Sequence, residues 1–341
     1  MKADERPGLR SVLVVGGAGY IGSHMVKALL EGGYETTVYD NLSAGYRDAI
    51  LGGDFVQGDL ADADALDALF AAGRFDAVMN FAGSIQVGES VRKPGLYYRN
   101  NVANTLNLLE AMVRHDVRHL VFSSTAAIFG EPAYVPIDEK HPTQPVNPYG
   151  RGKLMVEQML ADFDGAHGLK SACLRYFNAA GADPAGRIGE RHEPETHLIP
   201  IALEVALGKR AQLSVYGDDY DTPDGTCIRD YIHVDDLCQA HLRALEALRR
   251  TGRSLAVNLG NGQGFSVREV VETVRAVTGH TIPLQIEARR AGDPARLIAD
   301  STAAREGLGW RPQYPGLQDI VRHAWQFRLN HAATHPEANA A

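Results

Sequence analysis

Cysteine is scarce in this chain of 341 residues: Cys173, Cys227 and Cys238 are the three present, an odd number without paired spacing. That excludes a disulfide framework and fits reduced thiols of a cytoplasmic protein, each serving packing. Long apolar runs are missing too, since no segment approaches the roughly 20 apolar residues of a membrane span. The opening MKADERPGLR is polar and lacks the apolar stretch of a secretory signal. The expectation is a cytoplasmic protein that engages no membrane. Positive charge is in deficit: the formal net charge is −8, with no long basic run, which argues against a nucleic-acid partner. Internal repeats and low-complexity tracts are absent.

What is present is ordinary globular composition, 45% hydrophobic and 22% charged, with enough length for two domains or one large α/β unit carrying an appendage. Glycine is the informative residue. In SVLVVGGAGYIGSHMVKALLEGGYETTVYDN, residues 11–41, Val12 to Val15 form an apolar run suited to a strand buried on both faces. Met25, Val26, Leu29 and Leu30 follow at helical spacing, and Gly32 and Gly33 signal the stop. Gly16, Gly17, Gly19 and Gly22 lie between, where backbone must turn tightly and an anion could approach amides at the positive end of a helix. Asp40 closes the run Thr36 to Tyr39, about 20 residues further on, where a carboxylate would accept hydrogen bonds from an adenosine ribose. Strand, glycines, helix, strand and acid together predict a dinucleotide site. The acid disfavours the 2′-phosphate of NADP, so NAD is the expected cofactor. Arg47 would serve NADP only by folding back, and is expected to be a solvated loop residue.

Further strand-like runs at Phe55–Val56, Ala77–Phe81, Leu120–Phe122 and Ala172–Tyr176 alternate with helical patterns, which predicts a parallel sheet wound by β/α units. Beyond about residue 180 the pattern loosens into Gly- and Pro-rich stretches. The predicted class is α/β: a Rossmann-type doubly wound parallel sheet with a smaller, mixed α/β substrate domain. The expected boundaries are 11–179 for the NAD-binding domain, with a returning segment near 230–262, and 180–330 for the substrate domain. Residues 1–10 and 331–341 are expected to be flexible tails.

The chemistry-bearing stretch is VNPYGRGKLMVEQML. Asn147 and Pro148 are good helix-start residues, and Leu154, Met155, Met159 and Leu160 continue an apolar stripe, so Tyr149 and Lys153 should share one helical face. A phenol near pKa ~10 is a poor base at neutral pH; an ammonium beside it, and a bound nicotinamide cation, would favour the phenolate. Ser123, Ser124 and Thr125 directly follow an apolar strand, where open α/β sheets hold ligands, so a hydroxyl there could meet Tyr149.

Glycines 16, 19 and 22, FAG at 81–83, SST at 123–125 and YxxxK at 149–153 resemble the extended short-chain dehydrogenase/reductases. More narrowly, GGAGYIGSH, YDNLS, VGESV, YYRNN, PYGRGKLMVE, LRYFNAAGA, RDYIHVDDL, NLGNG and RRAGDPA resemble the UDP-glucose (UDP-galactose) 4-epimerase family in order and spacing across nearly the whole chain. The resemblance implies Tyr149 as acid/base, Lys153 as its electrostatic partner and ribose ligand, and Thr125 as the hydroxyl bonded to the sugar 4-oxygen. It implies an NAD site of Gly16, Gly19, Tyr20, Ile21, Gly22, Asp40, Asn41, Asp59, Leu60, Phe81, Ala82, Gly83, Asn100, Ser123 and Tyr176 with Tyr149 and Lys153. For a UDP-sugar substrate it implies Asn178, Leu198, Arg229, Tyr231, Arg290 and Asp293, the arginines meeting pyrophosphate, with Ser214, Val215 and Tyr216 carrying the uracil through backbone contacts. Leu297 falls where the family lines its hexose pocket; a large Tyr there excludes N-acetylated sugars. A homodimer built through a helical bundle is implied as well. Two positions depart: Ile85 replaces a lysine after FAG, removing a cofactor-phosphate contact, and His197 replaces an asparagine before Leu198 at the substrate.

No metal is expected. HEPETH, residues 192–197, places its histidines five apart with Pro194 between them, so the helical zinc-protease pair cannot form. GDDYDTPDG misses the alternate carboxylates of a calcium loop and is expected to be a solvated loop near the nucleotide. A nucleotide-sugar dehydratase or decarboxylase would carry an acid just after the strand-end hydroxyl, where Ala126 and Ala127 stand; a non-catalytic NAD sensor would lack Tyr149 and Lys153. The expected reaction is therefore 4-epimerisation of UDP-hexoses, with UDP-pentoses or UDP-N-acetylhexosamines as alternative substrates.

Overall fold

Val12, Leu13, Val14 and Val15 are at most 1% exposed, as an all-apolar strand in a sheet covered on both faces must be. The structure, a computed structural model, describes residues 10–290 and 292–334. In chain order the elements begin β1 (Ser11–Val15), α1 (Tyr20–Glu31), β2 (Glu35–Asp40), β3 (Asp54–Gln57), α2 (Ala63–Ala72) and β4 (Ala77–Asn80). They continue α3 (Val87–Arg92), α4 (Pro94–Tyr98), α5 (Asn104–Arg114), β5 (His119–Thr125), α6 (Pro148–His167) and β6 (Lys170–Tyr176). Next come β7 (Asn178–Ala180), α7 (Leu198–Ala206), β8 (Leu213–Tyr216), β9 (Ile228–His233), α8 (Val234–Thr251) and β10 (Leu255–Leu259). The chain closes with β11 (Gly264–Ser266), α9 (Val267–Thr278), β12 (Leu284–Glu287), β13 (Arg296–Leu297), α10 (Thr302–Leu308) and α11 (Leu317–Thr334).

Two compact units result. The first comprises residues up to Ile128, Asn147–Leu174 and His241–Ala256; the second comprises Phe129–Val146, Arg175–Ala240 and the chain from Val257 onward. Among the described residues a seven-stranded sheet runs in the order β10-β6-β5-β4-β1-β2-β3, with β3·β2, β2·β1, β1·β4 and β4·β5 parallel. Chain order reverses at β1 and β4, the switch point of a doubly wound sheet, beyond whose carboxyl ends ligands bind. Leu13, Val15, Val78, Leu108, Met112, Phe122, Val156 and Leu160 build the core of the first unit.

The second unit has its own sheet, β11-β9-β13 with β7 also on β9, and a separate β12·β8 pair. Ile199, Leu203, Val270, Val274, Ile320 and Val321, from α7, α9 and α11, form its core. Asp230, fully buried in β9, ties three segments: its carboxylate accepts backbone N–H bonds from Asn261 at 2.8 Å, Gly262 at 3.0 Å and Ala299 at 3.1 Å.

Several expectations change. Residues 129–146 cluster with the second unit although they precede residue 179 in the chain. Of the returning segment, β10 joins the large sheet, whereas β9 belongs to the smaller one. The expected flexible ends lie outside the described residues at 1–9 and 335–341. The described part of each is ordered. Arg10 donates its amide to Asp76 and accepts from Glu35 N–H, because it continues the β1 ladder. Residues 331–334 complete α11. GDDYDTPDG is not simply solvated either: Tyr220 is 6% exposed under the Arg289 guanidinium, and Asp224 accepts from both the amide and hydroxyl of Thr226. Cys173 and Cys238 are buried, Cys227 is half-buried, and none of the three forms a disulfide.

Candidate active site

Gly16 follows β1 with φ +76°, a conformation that side chains other than glycine's rarely adopt, and a Cβ there would stand 2.5 Å from the Ala82 amide nitrogen. Gly22 is the third residue of α1, where a Cβ would overlap the Gly16 carbonyl oxygen. These two contacts press the start of α1 onto the ends of β1 and β4. Gly19 caps α1 without a side-chain acceptor, so this helix end presents backbone rather than a capping oxygen to a phosphate. Bare backbone and a positive helix end fit the pyrophosphate of a dinucleotide.

Asp40 ends β2 in a nearly buried position, and each of its oxygens holds a turn: Oδ2 accepts from Ala18 N–H at 2.9 Å and Oδ1 from Leu42 N–H at 2.8 Å. Each oxygen keeps a second lone pair for a ribose hydroxyl. Arg47 is exposed, as expected, and its guanidinium lies 4.5 Å over the Phe55 ring. Asn41 donates to Asp59 Oδ2 at 2.8 Å, and Leu60 is buried beside them, which brings three of the expected cofactor residues together after β2 and β3. Phe81 and Ala82 follow β4, and Gly83 leads into a loop held by a residue that sequence reasoning missed. Asn101, buried in a π-helical turn at Arg99–Ala103, accepts from Ser84 N–H at 2.8 Å and donates to the Ser84 carbonyl at 2.9 Å. The neighbouring Asn100 donates to Ser84 Oγ at 3.0 Å. The doubled asparagine in YYRNN was the available signal, since a π-helical turn inside a helix marks functional positions. Ile85 is 44% exposed, an apolar side chain where the resemblance expects an ammonium.

Asn147 caps α6, its side chain accepting from Gly150 N–H at 2.8 Å, and Pro148 takes the first helical position. The buried face is Gly152, Lys153, Val156 and Leu160; Met155, expected on that stripe, is exposed instead, because helical spacing puts Val156 inward. Lys153 donates from Nζ to the Ser123 carbonyl at 2.8 Å and lies 4.8 Å over the Phe122 ring. Burial pushes its ammonium down to about 8, against the opposing pull of Glu157. Glu157 is anchored by Ser124 Oγ at 2.5 Å. Burial likewise pushes the Tyr149 phenol up, and a hydrogen bond with Thr125 pulls the other way. The Thr125 oxygen also accepts from Ala127 N–H at 3.1 Å. The end of β5 and the first turns of α6 thus bring Thr125, Tyr149, Lys153 and Ser123 together.

In the second unit, β7 and β9 place Asn178 in register with Tyr231, and β13 places Leu297 in register with Arg229. Tyr176 ends β6 two residues earlier. Adjacent strands in register project side chains from one face, so Leu297 stands beside Arg229, which is paired with Asp293. Leu297 is half-buried and lies outside the core cluster of this unit. Tyr231 is 6% exposed within that core, which limits it to an edge contact with any ligand. Arg290 lies 3.8 Å over the Tyr216 ring, at the exposed end of β8, where Ser214 is half-buried and Val215 buried. His197 immediately precedes α7 and Leu198 opens it. His192 and His197 form no helical pair, yet their rings meet at 5.2 Å on either side of Glu190 and Glu195.

A protein-family model described as the NAD dependent epimerase/dehydratase family matches residues 12–260. A UDP-glucose 4-epimerase of Halalkalibacterium halodurans is 55% identical over 94% of this chain and 96% of its own. The crystal structure of UDP-glucose 4-epimerase from Brucella ovis in complex with NAD is 51% identical, covers 93% of this chain and 98% of its own, and superposes with a TM-score of 0.91. A Stenotrophomonas maltophila UDP-glucose-4-epimerase with bound NAD and formylated UDP-arabinopyranose is 40% identical, covers 95% and 99%, and has a TM-score of 0.92.

The buried ammonium generates a pH test. Lys153 titrates near 8 in the fold against 10.5 when free, so between those values the unfolded chain holds more protons and stability rises with pH. In nicotinamide-stripped protein, the stability of wild type relative to Lys153→Met should increase from pH 8 to pH 10, by up to about 1.4 kcal/mol per pH unit. Urea melts at each pH measure this; a flat difference would place the ammonium in solvent.

Proposed function

The chain belongs to the NAD dependent epimerase/dehydratase family, and on that premise we propose that it is an NAD-dependent isomerase interconverting UDP-glucose and UDP-galactose. The observation that carries this reading is the convergence of Thr125, Tyr149 and Lys153 at the end of β5, together with UDP-glucose 4-epimerases that match over 96% and 98% of their own length.

When bound, NAD supplies a hydride acceptor that returns the hydride before the sugar leaves, so no net oxidation occurs. Gly16, Gly19, Tyr20, Ile21 and Gly22 would seat its pyrophosphate, Asp40 and Asn41 its adenosine, and Phe81, Ala82, Gly83 and Asn100 its centre. Tyr149 takes the proton of the 4-hydroxyl and later gives one back, while Thr125 holds the 4-oxygen. Lys153, charged below about 8, favours the phenolate once positive charge joins it at this site. The 4-keto sugar exposes its other face by turning, and Arg229 and Arg290 hold its diphosphate meanwhile. Asn178, Leu198, Tyr231, Asp293 and the β8 backbone at Ser214–Tyr216 complete the UDP-sugar side. Ala126 and Ala127 offer no acid for elimination, which disfavours a dehydratase.

A homodimer fits the exposed apolar residues Val91 on α3, Leu96 on α4, Leu106 on α5 and Met155 on α6, helices that pack against one another. Among the described residues no helix is long and apolar enough to cross a membrane. We place the enzyme in the cytoplasm on its three cysteines, none in a disulfide, which would stay reduced there.

Purified protein incubated with UDP-galactose and no added nicotinamide should form UDP-glucose, and Tyr149→Phe should reduce turnover by about 10² or more. An absolute requirement for stoichiometric external NAD, or undiminished turnover in Tyr149→Phe, would contradict the assignment. Leucine at 297 is smaller than tyrosine, so UDP-N-acetylglucosamine should be a secondary substrate. Leu297→Tyr should abolish that activity and spare the plain hexoses; equal loss of both would remove Leu297 as the gate.

A further inference from the structure

We propose that Glu190, His192, Glu195 and His197 form a site for one divalent transition-metal ion of the Zn2+ class, which clasps residues 190–197 at the entrance to α7. The four residues offer one donor atom each, all within 4.8 Å of one another. His192 Nδ1 lies 3.2 Å from Glu190 Oε1 and 3.7 Å from Glu195 Oε1; His197 Nδ1 lies 2.5 Å from Glu190 Oε1 and 3.7 Å from Glu195 Oε1. A tetrahedral ion with bonds of about 2.0–2.1 Å needs donors roughly 3.3 Å apart, close to most of these separations.

Charge supports the same assignment. The Glu190 and Glu195 side chains are only 6% and 2% exposed. With both imidazoles neutral, the two carboxylates and the Arg328 guanidinium beside Glu195 leave one negative charge, which a divalent cation would take up. Imidazole nitrogen with carboxylate oxygen is a donor set suited to zinc rather than to calcium or magnesium. Backbone orients one ligand: Glu195 Oε1 accepts from Thr196 N–H at 2.8 Å and His197 N–H at 3.0 Å, and Arg328 approaches Oε2 at 3.4 Å. Such outer contacts fix metal-binding carboxylates.

The pattern E-x-H-x-x-E-x-H runs through a loop, so no helical zinc signature reveals it. With four protein ligands the ion has no open position, which assigns it a structural role. His197 immediately precedes α7, so the ion would fix the backbone that carries His197 and Leu198. This inference stands on the loop geometry and not on the reaction assigned above.

The test uses the full chain with NAD as purified and any affinity tag removed. Elemental analysis should find about one zinc per chain. After chelation, calorimetric titration with Zn2+ alone should return one site tighter than about 1 μM, and Co2+ alone should give the visible d–d absorption of a four-coordinate site. His192→Ala, or the isosteric Glu190→Gln should the first not fold, should weaken Zn2+ binding at least about a hundredfold. Metal-free wild type that binds no Zn2+, or variants that bind it as tightly as wild type, would overturn the proposal and leave an ion-pair cluster. Neither result depends on epimerase turnover.

Discussion

Where β1 ends, the backbone of Gly16 runs against the backbone of Phe81 and Ala82 with no space for a Cβ. This contact sets how closely the ends of β1 and β4 approach at the point where the chain order of the sheet reverses. Gly22 extends the same constraint by letting α1 settle onto the Gly16 carbonyl. The helix N-terminus is thereby aimed past the strand ends, and a helix end of this kind presents its positive pole to anions. Asp40 then braces the turn from the next strand by accepting the Ala18 amide. A side chain at either glycine would move the helix, and with it every contact that follows from its position.

The reactive end of this unit shows the opposite use of space. α6 is packed so tightly along Gly152, Lys153 and Val156 that an ammonium is held out of water, fixed by the Ser123 carbonyl and the Phe122 ring. Burial makes that charge costly and pushes it down to about 8, just above the neutral range in which it must stay protonated. It also pushes the Tyr149 phenol up. Burying such groups costs stability, a cost that functional sites commonly carry.

Local features were legible from residues alone. The apolar run Val12–Val15, the stop at Gly32, the Asn147 cap and the i, i+4 relation of Tyr149 to Lys153 each depend on neighbours within a few positions, and the structure places them as read. Long-range features were not. Residues 129–146 join the second unit, and β9 leaves the large sheet for the small one, because partners far away in sequence decide both. Asn101 holds the Ser84 loop through contacts 17 residues away. The histidines of HEPETH were judged by helical spacing, whereas a loop bends them around Glu190 and Glu195. Met155 shows the finer error: an apolar side chain one position off the buried stripe faces solvent.

If the sugar's 4-hydrogen leaves and returns as hydride within one site while Tyr149 handles only the hydroxyl proton, that hydrogen never exchanges with water. UDP-galactose carrying deuterium at C4, converted by the purified protein in ordinary water, tests it directly by mass and NMR analysis of the product. The account requires UDP-glucose that keeps the deuterium at C4. Exchange of that deuterium with solvent during conversion would mean that C4 is deprotonated by an acid/base route, and the assigned mechanism would be wrong.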